Sequence, residues 1–147
     1  MGRGAPAYAS STTAVGELTA FVDANVLIRH LTGDPPEMAT RATALLASGE
    51  TLLLADLVFA ECVYVLESFY EVGRPRVALL MRSALALASI ETVDGALLRR
   101  ALEVCELDGL DFAEAYLVAL AEATRVDEIA SFDRAIDRVN SIMRREP

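Results

Sequence analysis

Short apolar runs alternate with longer helical stretches along this 147-residue chain. The pattern predicts an α/β fold: one domain with a parallel sheet of four to five strands, flanked by helices on both faces. Three observations carry this expectation. The length suits one domain. The composition, 54% hydrophobic and 24% charged, is that of a globular protein and not of a disordered chain. The apolar runs are strand-sized and nearly continuous, as strands buried on both faces are.

Residues 1–19 are rich in Gly, Ala, Ser and Thr without periodicity and read as a disordered tail, leaving 20–147 as the domain. Ala20-Phe21-Val22 is the first strand candidate. A helix follows from Val26 and stops at Gly33-Asp34-Pro35-Pro36. Glu37 to Ala47 is helical, closed by Gly49, and Thr51-Leu52-Leu53-Leu54 is a second strand. Asp56 reads as the N-cap of a helix to about Glu71. Pro75 opens the next helix, through Ala88, from its first turn. Ser89 to Val93 is a third strand, and Asp94 caps a helix to Leu107. After Asp108-Gly109, Leu110-Asp111 leads into an apolar helix to Ala123. Glu128 to Ser131 is a fourth strand and Asp133 to Val139 a last helix. Ser141-Ile142-Met143 is too short to assign as a strand.

The charge balance is −9, with 22 acids against 13 cations, all of them Arg. A passive coat for nucleic acid would be basic, but an enzyme that holds its cations locally remains allowed. No apolar run reaches the length a membrane helix needs, so no membrane role is expected. The two cysteines, Cys62 and Cys105, form no CxxC pair. They suit a reducing, cytoplasmic setting and exclude a disulfide scaffold or a Cys-ligated zinc. His30 is the only histidine, which excludes mechanisms that need two.

In an open parallel sheet the ligand site lies beyond the carboxyl ends of the strands. Carboxylates recur there. Asp23 ends the first strand, and Glu61 sits among apolar neighbours on the helix after the second, where a buried charge would be costly. Asp111 and Glu114 share a face in the first turn of their helix. Asp133 follows the fourth strand. Taken singly, Asp111 and Asp133 read equally well as helix caps, and Asp23 as part of a strand-to-helix turn. Taken together, converging carboxylates demand a cation, and in the absence of Lys a divalent ion answers that demand. An all-oxygen donor set suits Mg²⁺ or Mn²⁺, and such ions support phosphodiester hydrolysis.

The set resembles the PIN domain family and, within it, the VapC-like toxin ribonucleases. The residues that carry the resemblance are Phe21-Val22-Asp23-Ala24-Asn25, Ala60-Glu61, Asp111-Phe112-Ala113-Glu114-Ala115, and Ser131-Phe132-Asp133-Arg134. It implies a metal-dependent endoribonuclease, commonly dimeric and held in check by a cognate antitoxin. Asp23, Glu61, Glu114 and Asp133 then match the metal carboxylates, and Asn25 and Ser131 match supporting polar positions. Glu114 stands where the family usually carries Asp, one methylene shorter, and Asp111 is placed to share its role. Ala135 stands where many relatives carry a further Asp.

Two other readings compete. One is a non-catalytic interaction module on the same fold. The other is an aspartate-nucleophile phosphohydrolase built on Asp23, disfavoured because Asn25 occupies the acid position and no Lys serves the phosphate. Arg74, Arg76, Arg99-Arg100 and Arg144-Arg145 read as phosphate grips or as solvated faces, the latter more often. Tyr64, Phe69 and Tyr70 read as core or as a partner surface.

Overall fold

A computed structural model describes residues 18–147, with the backbone alone at Thr19. The tail expected over 1–19 lies outside the described residues as far as residue 17; Leu18 and Thr19 already belong to a strand.

The order is β1 (Leu18–Phe21), α1 (Ala24–Thr32), α2 (Pro36–Leu46), β2 (Thr51–Leu53), α3 (Asp56–Ser68), α4 (Arg74–Leu85) and β3 (Ile90–Glu91). It continues with α5 (Gly95–Asp108), α6 (Phe112–Thr124), β4 (Glu128–Ala130), a 3-10 helix (Arg134–Arg138) and β5 (Met143–Arg145). The α/β class with parallel pairing and flanking helices is as expected. The sheet is smaller: β1-β2-β3 form one parallel sheet, and β4 pairs with β5, also in parallel, in a second.

β5 escaped the sequence reading because Met143-Arg144-Arg145 has no apolar run. Its partners are electrostatic and distant: Arg145 pairs with Glu128 at 2.9 Å, and Arg144 with Asp137 at 3.0 Å. The last helix is a single 3-10 stretch, in which only Ile136 is buried.

Local chemistry sets most helix ends. Gly33 and Gly109 close α1 and α5 in the left-handed conformation, at φ 73 each. Asp94 caps α5, accepting from the Leu97 N–H at 3.1 Å. Asp56 is not the cap expected of it. Ala55 holds that position, and the Asp56 carboxylate instead accepts from the Tyr116 hydroxyl of α6 at 2.6 Å. That bond and partial burial push the Tyr116 phenol up to about 12.

The core lies where α3 and α6 meet the sheet. Phe59 is fully buried, and its ring centroid is 5.4 Å from that of Phe112, which in turn stacks at a tilt on Tyr116. Leu52, Leu54, Leu66, Leu98, Leu102 and Val118 fill the rest. This packing brings the N-terminus of α6 beside α3.

Candidate active site

Asp23 follows β1 and occupies the N-cap position of α1, but its side chain makes no capping bond. Its carboxylate is exposed, and among the described residues it forms no ion pair. Asn25, also exposed, lies in the first turn of the same helix.

Glu61 is exposed too, against the expectation of a charge submerged in apolar surroundings. The neighbours that suggested burial, Phe59, Cys62 and Val63, face the core, while the helical period turns Glu61 to water. Cys62 joins these two acids. Its thiol lies 4.0 Å from the Ala24 carbonyl oxygen and so holds α3 against the start of α1. Burial pushes the thiol up to about 12, and the charges of Glu61 and Asp23 add to the rise. Both carboxylates thus act on one sulfur.

A second group gathers at α6. Asp111 caps the helix, accepting from the Glu114 N–H at 3.0 Å. Asp133, three residues beyond β4, caps the 3-10 helix by accepting from the Ala135 N–H at 2.9 Å. Its own N–H donates to Ser131 Oγ at 2.9 Å, which makes Ser131 a positioning residue. The cap reading was therefore correct for both, yet each cap occupies a single oxygen.

The half-buried Glu114 carboxyl faces that of Asp133 closely enough that hydrogen bonding between them favours a proton on Glu114. That interaction, then burial, then the charges of Asp111 and Asp133 raise Glu114 to about 7. Asp133 moves the other way. The bond from Glu114 and the Ala135 N–H hold it below its ordinary value, helped by the charges of Arg138 and Arg144.

The five acids thus fall into two sets, Asp23 with Glu61 and Asp111 with Glu114 and Asp133. Among the described residues, no three of His, Cys, Asp and Glu close on a single point in a way that could hold a metal ion. Mg²⁺ does not need such a cage. It binds through one or two carboxylates and keeps water and substrate phosphate as its other ligands. The facing carboxyls of Glu114 and Asp133, with no nitrogen or sulfur donor, fit that chemistry.

The arginines were less legible. Arg74 from α4 and Arg138 from the 3-10 helix both donate to the Gly109 carbonyl, at 2.6 and 3.1 Å. They pin the turn that ends in Asp111. The sequence marked Gly109 as a helix stop, but no local signal pairs residues that far apart. Arg100 bridges Glu103 and Glu122, and Arg144 bridges Asp137 and Glu146, so both are structural. His30 contacts Thr43 Oγ1 at 2.8 Å across α1 and α2. Of the three aromatics on α3 and its end, Tyr64 and Phe69 are exposed, whereas the Tyr70 hydroxyl donates to Asp34 at 3.0 Å.

The model of the PIN domain family matches residues 20–142 of the chain, which include both acidic sets and every element from α1 through the 3-10 helix, but not β5. No curated protein matches the sequence closely enough to count as a relative. No helix among the described residues is long and apolar enough to cross a membrane.

Proposed function

The chain belongs to the PIN domain family, a nuclease-type fold whose members are typically metal-dependent, and from that premise we propose that it is an endoribonuclease and the toxin of a toxin–antitoxin pair. The observation that carries the proposal is that Glu114 of α6 and Asp133 after β4 stand near enough to shift each other's ionisation, with Asp111 one helical turn from Glu114. Residues from α6 and from the loop after β4 have been folded together despite their like charge.

Glu114 and Asp133 would hold Mg²⁺ or Mn²⁺, with Asp111 beside them and Asp23 and Glu61 at the start of α1 and on α3. Such an ion activates water and offsets charge on the attacked phosphoryl group. The chain's own part is orientation. The cap bond fixes the Asp111 rotamer, Ser131 and Ala135 fix Asp133, and Cys62 holds the Glu61 helix against α1. Glu114, raised to about 7, gives up its proton through neutral pH, so affinity for a cation held by this pair would rise with pH through about 7.

The deciding assay is cleavage of RNA by the wild type and by Asp23→Asn and Asp133→Asn, with and without Mn²⁺. Expected are cleavage by the wild type only, Mn²⁺ dependence, and variants that remain folded by circular dichroism. Full cleavage by either variant would reject the assignment. An absence of both cleavage and Mn²⁺ binding would favour the non-catalytic module.

For partners, we propose a cognate antitoxin and a second copy of this chain. Leu57 and Tyr64, seven residues apart on α3 and so on one face, are exposed, and each lines a cavity between α3 and the start of α6. An apolar face of this kind suits a homodimer. Both cysteines are free and buried, which suits a reducing cytoplasm.

A further inference from the structure

A cavity of about 280 Å³ between α1 and α2 differs in chemistry from the acidic sets. Asn25, Val26 and Arg29 form its α1 wall, and Met38, Arg41 and Leu45 stand on α2. Helical spacing explains the two walls. Residues 25 and 29 are one turn apart, as are 38, 41 and 45 in steps of three and four.

Arg29 Nε reaches Met38 Sδ at 3.4 Å, so its guanidinium links the α1 wall to the α2 wall. Neither Arg29 nor Arg41 has a carboxylate within 4.0 Å among the described residues. Arg76, Arg99, Arg125, Arg134 and Arg138 likewise have no carboxylate partner among the described residues, so lack of pairing alone marks nothing. What distinguishes Arg29 and Arg41 is that both line one cavity, from facing helices. The place matters as well. Asn25 lies two residues after Asp23, so the cavity begins where the acidic site begins.

We propose that this cavity is a nucleotide subsite for the RNA: Arg29 and Arg41 grip a backbone phosphate flanking the one that is cut, and Val26, Met38 and Leu45 receive a base. The guanidinium fork matches phosphate oxygens in pairs. A splayed base of single-stranded RNA packs on an apolar wall and on the plane of an Arg. The subsite rests on the ribonuclease reading for its substrate, but its own evidence is the cavity and the two cations that line it from facing helices.

The test uses a fluorescently labelled single-stranded RNA and the full-length Asp23→Asn chain, which binds without cutting. Anisotropy is read across a salt series for that chain and after adding Arg29→Gln, Arg41→Gln or Arg125→Asn. Arg29→Gln and Arg41→Gln should each weaken binding roughly 3- to 10-fold and lower the salt slope by about one. Arg125, at the far end of α6, should leave both unchanged. Arg41 is exposed and forms no ion pair among the described residues, so its variant reports binding even if Arg29→Gln disturbs the fold.

Unchanged RNA affinity in both variants overturns the subsite. So does Arg41-dependent binding of a labelled acidic peptide without an effect on RNA, which would assign the cavity to a protein partner. Cleavage by the otherwise native chain separates the two proposals. Arg-dependent RNA binding without any Mn²⁺-dependent cleavage keeps the subsite and discards the nuclease. Cleavage with KM unaltered by Arg41→Gln does the reverse.

Discussion

Asp111 does two jobs that substitution can separate. Asn keeps the capping oxygen but not the charge, whereas Ala removes both. Asp111→Ala should cost about 1 kcal/mol of stability by urea unfolding, and Asp111→Asn only a few tenths. Both should weaken Mn²⁺ binding in calorimetry, because the second oxygen is lost as an anionic donor. If Asp111→Asn binds Mn²⁺ as the wild type does, Asp111 is a cap and no more. Gly109 is a second informative position. Its φ is 73, and an added Cβ would stand 3.3 Å from Arg138 Nη1. Gly109→Ala should therefore lose about 1–2 kcal/mol and loosen the turn that presents Asp111. Both positions were visible in the sequence as caps. That two arginines grip the Gly109 carbonyl was not, since one comes from α4 and the other from beyond β4.

Helices α3 and α6 are joined by ring packing and by one polar contact, Tyr116 to Asp56. The other Asp56 oxygen is buried and has no hydrogen-bond partner among the described residues. Tyr116→Phe removes the only donor to this carboxylate among the described residues, so it should destabilise by about 1–3 kcal/mol. Guanidinium unfolding midpoints at constant slope would measure it, and a change within error would show that water satisfies Asp56 instead. The element boundaries followed the sequence closely where a cap, a Gly or a Pro marked them. They failed at β5, whose residues are held by ion pairs, and at Asp56, whose carboxylate found a better partner across the core than along its own helix.

For the whole molecule, pH and assembly give the clearest expectations. Folding raises Glu114 to about 7, so the folded protein binds its proton more tightly than the unfolded chain. The stabilisation is complete below the unfolded carboxyl value and is lost as pH rises through about 7. Glu122 acts in the opposite sense. Its bond to Arg100 holds it low, so its contribution is present above the unfolded value and fades in acid. Without metal, Glu114→Gln should match the wild type near about pH 5 and exceed it near about pH 8 in denaturant unfolding. An equal difference at both would show that folding does not raise the Glu114 carboxyl. For assembly, the proposed α3 face predicts that Leu57→Glu converts a dimer to a monomer in light scattering, leaving the far-ultraviolet spectrum intact.

The order of the elements, the parallel pairing and the positions of the acids after the strands were all legible in the chain, because they rest on period, caps and apolar run length, which act locally. The family resemblance added a ligand set that residue types alone left open. Tertiary structure decided which acids meet. It joined Glu114 to Asp133, set Asp23 and Glu61 around one thiol, and turned Glu61 outward where its neighbours suggested burial. Those outcomes depend on how helices pack against two separate parallel pairings, and contacts between residues distant in the chain leave no mark on the stretches that make them.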